Sequence, residues 1–115
     1  MPDFEELQQR YRKFTRDRDW AQFHDPKSII LALVGEVGEL AELFQWVPAD
    51  RAKDVFSTED RQRRAAEEMS DVLIYLIALS QALGVDLIDA AHAKLTAAEL
   101  RFPVEDFRGL APFKG

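Results

Sequence analysis

The sequence predicts an all-α protein built as a four-helix bundle. Strand signals are poor: no stretch alternates apolar and polar residues cleanly. Apolar residues instead recur at helical spacing in four separate segments, and residues that start or stop helices bound them. Four such segments joined by short connections imply a bundle.

The first helix is expected from about Asp3 to Arg16, with Phe4, Leu7, Tyr11 and Phe14 on one face. Asp17–His24 reads as an aromatic-rich connection carrying Trp20 and Phe23. Asp25-Pro26 starts the second helix, with Asp as N-cap and Pro at the first helical position. That helix should run to about Trp46 and be stopped by Pro48, with Asp50–Phe56 a polar loop beyond it. Ser57 begins the third helix, and Glu59 and Asp60 lie in its first turn, where negative charge suits the helix dipole. It continues to Leu83 and ends at Gly84, a residue suited to the left-handed position after a helix. Asp86 caps a fourth helix to about Leu100, Pro103 prevents much continuation, and residues 103–115 read as an irregular tail.

Composition bounds the function. The 115 residues suit one domain, and a hydrophobic share of 47% supports a real core. The absence of cysteine excludes disulfides, thiolate metal sites and a cysteine nucleophile. With a net charge of −6 and no basic face, no nucleic-acid partner is expected. A phosphorylated ligand remains compatible with acidity, because a bound cation reverses the sign of the local field. The N-terminus lacks an apolar signal-peptide core, and the longest apolar runs, Ile29–Val34 and Val72–Leu79, are too short to span a bilayer. A cytoplasmic protein with no membrane partner is expected.

The chemistry is carried by acids in the wrong place for packing alone. On a wheel at about 100° per residue, Glu36 and Glu39 fall within roughly 60° of each other. Ile29, Leu33, Leu40 and Leu43 share that arc, while Gly35, Gly38, Glu42 and Gln45 lie opposite. The third helix repeats the anomaly: Glu68 and Asp71 share an arc with Tyr75, Leu79 and Ala82. The 28 residues between Glu39 and Glu68 allow a loop and a return. Desolvation and mutual repulsion would raise the pKa of carboxylates gathered inside a bundle. A hard divalent cation such as Mg²⁺ or Mn²⁺ resolves both problems. The competing reading is that Lys or Arg neutralises each pair, or that the pairs lie at a solvated edge.

The segments GEVGELAELFQW and EEMSDVLIYLIAL resemble the all-α nucleoside triphosphate pyrophosphohydrolases, the MazG-like proteins, and within them the dCTP pyrophosphatases. The family motif is E-x-x-E, a spacer, then E-x-x-D, and Glu36, Glu39, Glu68 and Asp71 match it in full. The likeness extends through Arg18–His24, Trp46 and Tyr75, and into Lys94–Pro103. It implies an Mg²⁺-dependent enzyme that converts dNTP and water to dNMP and pyrophosphate. The four acids would hold the metal against the triphosphate, with Glu36 and Glu39 the candidates for general base. The resemblance also implies a base pocket formed by Tyr11, Trp20, Trp46 and Tyr75, with Lys94 on the phosphates.

Two positions depart from that pattern. Where dCTP-pyrophosphatase relatives carry a His nine residues before the first pocket Trp, this chain has Tyr11. Where they carry an Asn four residues after the phosphate-binding Lys, it has Ala98, and Arg101 is the nearest replacement. His24 and His92 read as structural or surface residues, since Asp89-x-x-His92 is at most half of a di-iron motif. The other function classes are a non-catalytic nucleotide- or metal-binding module that kept the acids, and a helical dimerisation protein. Finally, Val72–Leu79 is apolar around its whole circumference, which predicts burial on every side and a second subunit to supply it. A dimer or dimer of dimers would close that arrangement, and the resemblance points to a homotetramer.

Overall fold

The computed structural model describes residues 3–112, and every regular element among them is helical. The chain divides into two compact units at Gly84 and Val85. The first holds α1 (Phe4–Asp17), α2 (Pro26–Glu42), a single-turn α3 (Ala52–Val55) and α4 (Glu59–Leu83). Short 3₁₀ turns, Ala21–Phe23 and Ala49–Arg51, sit in the connections.

Local chemistry sets the helix ends. The Asp3 side chain accepts from the Glu6 N–H at 2.9 Å, and Asp25 accepts from the Ser28 N–H at 2.9 Å with Pro26 following it. Gly84 closes α4 with φ at 68°, the left-handed conformation that glycine adopts without a Cβ penalty. Two ends differ from expectation. Ser57 does not begin α4: its hydroxyl donates to the Asp54 carbonyl at 2.6 Å and finishes the preceding turn, leaving Thr58 as N-cap. The second helix ends at Glu42 rather than Trp46. Beyond it the Leu43, Phe44 and Gln45 N–H groups bond three residues back, the tighter pattern of a terminating helix. Phe44 then stacks on Phe56, ring centroids 4.1 Å apart, which folds the connection back on itself. The expected polar loop after Asp50 contains α3.

Within this unit α4 is the central element, with α2 packed along it and α1 against it. Ile29, Ile77 and Ala78 form the core, and Ile77 is completely buried. Gln81 Nε2 donates to the Gln8 carbonyl at 3.1 Å, fixing α1 on α4. The buried hydroxyls of Thr15 and Ser80 donate to carbonyls of their own helices, so neither is left unsatisfied. The run Val72–Leu79 is not covered on every side, since Ile74 stays 38% exposed while Ile77 is completely buried. The Ile77 side chain is covered within the single chain. Exposed apolar surface lies also on α2, where Leu31 and Val34 stay 63% and 62% exposed.

The second unit carries α5 (Leu87–Arg101) and α6 (Val104–Phe107). Asp86 caps α5, accepting from the Asp89 N–H at 3.0 Å. The stretch read as an irregular tail therefore contains one helical turn, α6. Pro103 starts that turn through its carbonyl, which accepts from the Phe107 N–H, and Phe107 packs edge-on to Phe102. Residues 113–115 of the expected tail lie outside the described residues. No single helix among the described residues is long and apolar enough to cross a membrane.

Candidate metal centre

The packing of α2 along α4 brings acids from both helices together. One carboxylate oxygen from each of Glu36, Glu39 and Glu68 lies within 4.8 Å of the other two. Glu36 and Glu68 are half-buried, and Glu39 is exposed at the edge of the group. Asp71 is exposed and falls outside this three-residue group, although its charge acts on Glu36 and Glu68. The i, i+3 pairs thus share a face as the wheel predicts, but each pair runs from a half-buried acid to an exposed one. The opposite face of α2 is open: Glu42 is exposed, and a Cβ added at Gly35 or Gly38 would meet nothing within 4 Å.

The electrostatics of the group follow from its surroundings. Glu36 Oε2 and Glu68 Oε2 are out of solvent and have no hydrogen-bond partner. Burial pushes the Glu36 carboxyl above the ordinary glutamate range, and the neighbouring Glu39 charge adds to it, with smaller effects from Asp71 and Glu68. Burial likewise raises Glu68, followed by the charges of Glu39 and Asp71. The ion pairs among the described residues are Lys13–Asp17 and Arg63–Asp60, and neither involves the group. Among the described residues, then, no Lys or Arg neutralises the acids, while Glu39 and Asp71 do lie at a solvent-exposed edge. Two orphaned, buried oxygens in an all-carboxylate donor set fit a hard divalent cation, which takes oxygen ligands and favours the ionised form of each acid.

The expected pocket residues are distributed unevenly. Tyr11 on α1 and Tyr75 on α4 are both half-buried, and burial, then the nearby Tyr75, raises the Tyr11 phenol. Tyr75 lies one turn beyond Asp71 on the same helix. Trp20 packs edge-on against Phe14, ring centroids 5.6 Å apart. Trp46 is 87% exposed in the turn after α2, because the helix stops before reaching it. Lys94 and Arg101 belong to the second unit, both exposed on α5, with the Arg101 guanidinium 5.2 Å from the Phe102 ring centroid. Neither histidine joins the acid group; His24 is half-buried and His92 exposed.

Sequence reasoning missed the residues that brace Trp20. The Arg18 guanidinium lies 3.9 Å above the Phe14 ring, against which Trp20 packs. The four-residue spacing of Phe14 and Arg18 on a helix is the signal that could have found this pair. Asp19, between Arg18 and Trp20, has φ at 53°. An L-residue in that conformation costs about 1–2 kcal/mol, and nothing in the sequence marks the position.

Fold and site together define an all-helical protein in which two packed helices share a carboxylate cluster. Residues 32–111 match the MazG-like family, and the chain belongs to that family. The chain is 47% identical over 111 residues to bovine (Bos taurus) dCTP pyrophosphatase 1, covering 96% of this chain and 65% of the relative. It is 47% identical over 103 residues to the human (Homo sapiens) protein of the same name, covering 89% of this chain and 60% of that one. The chain thus spans a little under two thirds of the length of these relatives. A solved pyrophosphatase from Archaeoglobus fulgidus matches with a TM-score of 0.78 and 35% identity, covering 90% of this chain and 94% of that one.

Proposed function

We propose that this chain is a metal-dependent nucleoside triphosphate pyrophosphohydrolase that converts dNTP and water to dNMP and diphosphate, with dCTP or a related pyrimidine deoxynucleotide preferred. The observation that carries the reading is the Glu36, Glu39 and Glu68 group, with its two buried, unpartnered oxygens. The names of the curated relatives support the reaction and the base.

In this reading Glu36, Glu39, Glu68 and Asp71 hold Mg²⁺, with Mn²⁺ able to replace it. The ion, when bound, neutralises charge on the triphosphate and lowers the pKa of the attacking water. Glu36 or Glu39 takes a proton from that water as its oxygen attacks the α-phosphorus. The bond from the α-phosphorus to the bridging oxygen breaks, and diphosphate leaves. Tyr11, Tyr75, Trp20 and Trp46 supply the contacts to base and sugar.

The reading includes a four-helix bundle in a homodimer or homotetramer and a cytoplasmic location. The exposed Leu31 and Val34 on α2 support the assembly, as an apolar strip of that kind is characteristic of an interface. Pyrophosphate release from a panel of dNTPs, with Mg²⁺ and with EDTA, tests the function. Metal-dependent release, fastest with a pyrimidine deoxynucleotide, is the expected result. No release from any dNTP would overturn the reading.

A further inference from the structure

Among the described residues, Asp19 is the non-glycine position with positive φ. It follows α1, where its N–H donates to the Arg16 carbonyl at 3.1 Å and the Trp20 N–H reaches back to the Thr15 carbonyl at 3.0 Å. That pair of bonds closes a helix through a left-handed residue, a position that usually takes glycine. The aspartate adds something glycine lacks. Its Oδ2 accepts from Gln22 Nε2 at 3.0 Å, and its carbonyl accepts from the same amide at 3.0 Å. Gln22 sits in the 3₁₀ turn Ala21–Phe23 that immediately follows Trp20. Trp20 is therefore tied on both sides, to the end of α1 before it and through Gln22 to Asp19 after it.

The ring is braced as well. Trp20 meets Phe14 edge-on at an interplanar angle of 79°, and Phe14 carries the Arg18 guanidinium above its face. Even so Trp20 remains 45% exposed. An indole fixed through its backbone and along one edge, yet open to solvent, has the properties of a stacking platform rather than of a core residue.

We propose that Asp19 is a positioning residue: its left-handed backbone and its tether to Gln22 hold the Trp20 indole ready to stack on the nucleobase. The ligand in this inference rests on the function proposed above; the tether rests on geometry alone.

The test uses the full chain labelled with 5-fluorotryptophan, which gives one fluorine signal each for Trp20 and Trp46, assigned with Trp46→Phe. Asp19→Val opposes the left-handed backbone and removes the tether. Asp19→Asn tolerates that backbone and keeps an acceptor for Gln22. In Asp19→Val the Trp20 signal should move, and KM for dCTP with Mg²⁺ should rise roughly fivefold at little change in kcat, the scale of one lost aromatic stack. Asp19→Asn should restore both. Gln22→Ala cuts the tether without opposing the backbone, so it gives the same readouts if Asp19→Val fails to fold. An unmoved Trp20 signal with unchanged KM, or an Asn variant as impaired as the Val variant, would overturn the proposal. If the wild type turns over no dNTP, the functional reading fails, while the fluorine spectra still decide whether Asp19 holds Trp20.

Discussion

Glu36 and Glu68 each place a buried carboxylate oxygen, Oε2, where no donor reaches it, on two helices that pack side by side. A buried acceptor without a donor is destabilising, and a buried charge without a counter-charge more so. Both residues share Glu39 as a like-charged neighbour, so the metal-free fold carries an electrostatic cost concentrated at one place.

Replacing either acid by its amide should expose that cost. In EDTA, Glu36→Gln and Glu68→Gln should each melt higher than the wild type, because the amide removes a charge and supplies a donor for the remaining carboxylates. Mg²⁺ or Mn²⁺ should raise the wild-type melting temperature by binding the native state. That shift, and dNTP hydrolysis with it, should be lost in both variants and kept in Glu42→Gln, which changes an exposed residue on the other face of α2. Thermal melts in EDTA and in Mg²⁺ check all three, and equal losses in Glu42→Gln and Glu36→Gln would contradict the assignment.

The same group sets a pH dependence of unusual sign. The Glu36 and Glu68 carboxyls are raised in the fold above their ordinary value of 4.5. The native state therefore holds more protons than the unfolded state, and stability falls as pH rises through that range. The contribution is fully present below pH 4.5 and is lost above the raised values. Asp25 works in the opposite direction, because the Ser28 hydroxyl and N–H hold its carboxyl below the ordinary range. The difference between wild type and a Glu36→Gln/Glu68→Gln double variant isolates the group. Measured by circular dichroism in EDTA, the advantage of the double variant should shrink as pH is lowered from 7 towards 4.5. An advantage that grows on acidification would contradict the raised carboxyls.

Ile77 is the completely buried side chain of the core. Ile77→Ala should destabilise the fold by about 2–5 kcal/mol through lost burial and the cavity left behind. Chemical denaturation reads the loss as a lower midpoint at unchanged slope.

Assembly should depend on α2 rather than on Ile77. Val34→Lys or Leu31→Lys puts a charge on the exposed apolar strip and should convert a dimer or tetramer to smaller species with the helical content retained. Light scattering at micromolar concentration checks this. A wild type that is monomeric there would remove the proposed assembly.

What the sequence determined by itself is local. Asp25-Pro26, Gly84 and Asp86 set helix ends because their partners lie within a few residues, and the structure places those ends as read. Glu36 with Glu39, and Glu68 with Asp71, share faces because a helix brings residues three apart onto one side whatever it packs against. Tertiary structure decided the rest. Helix phase does not say how far a face turns towards its neighbour, so Glu36 and Glu68 bury an oxygen while Glu39 and Asp71 stay exposed. The second helix stops at Glu42, beyond which Phe44 stacks on Phe56, and Trp46 is left in the open. Within the apolar run Val72–Leu79, Ile77 is completely buried while Ile74 stays exposed, because burial is set by the packing of helices distant in sequence, which no single helix encodes.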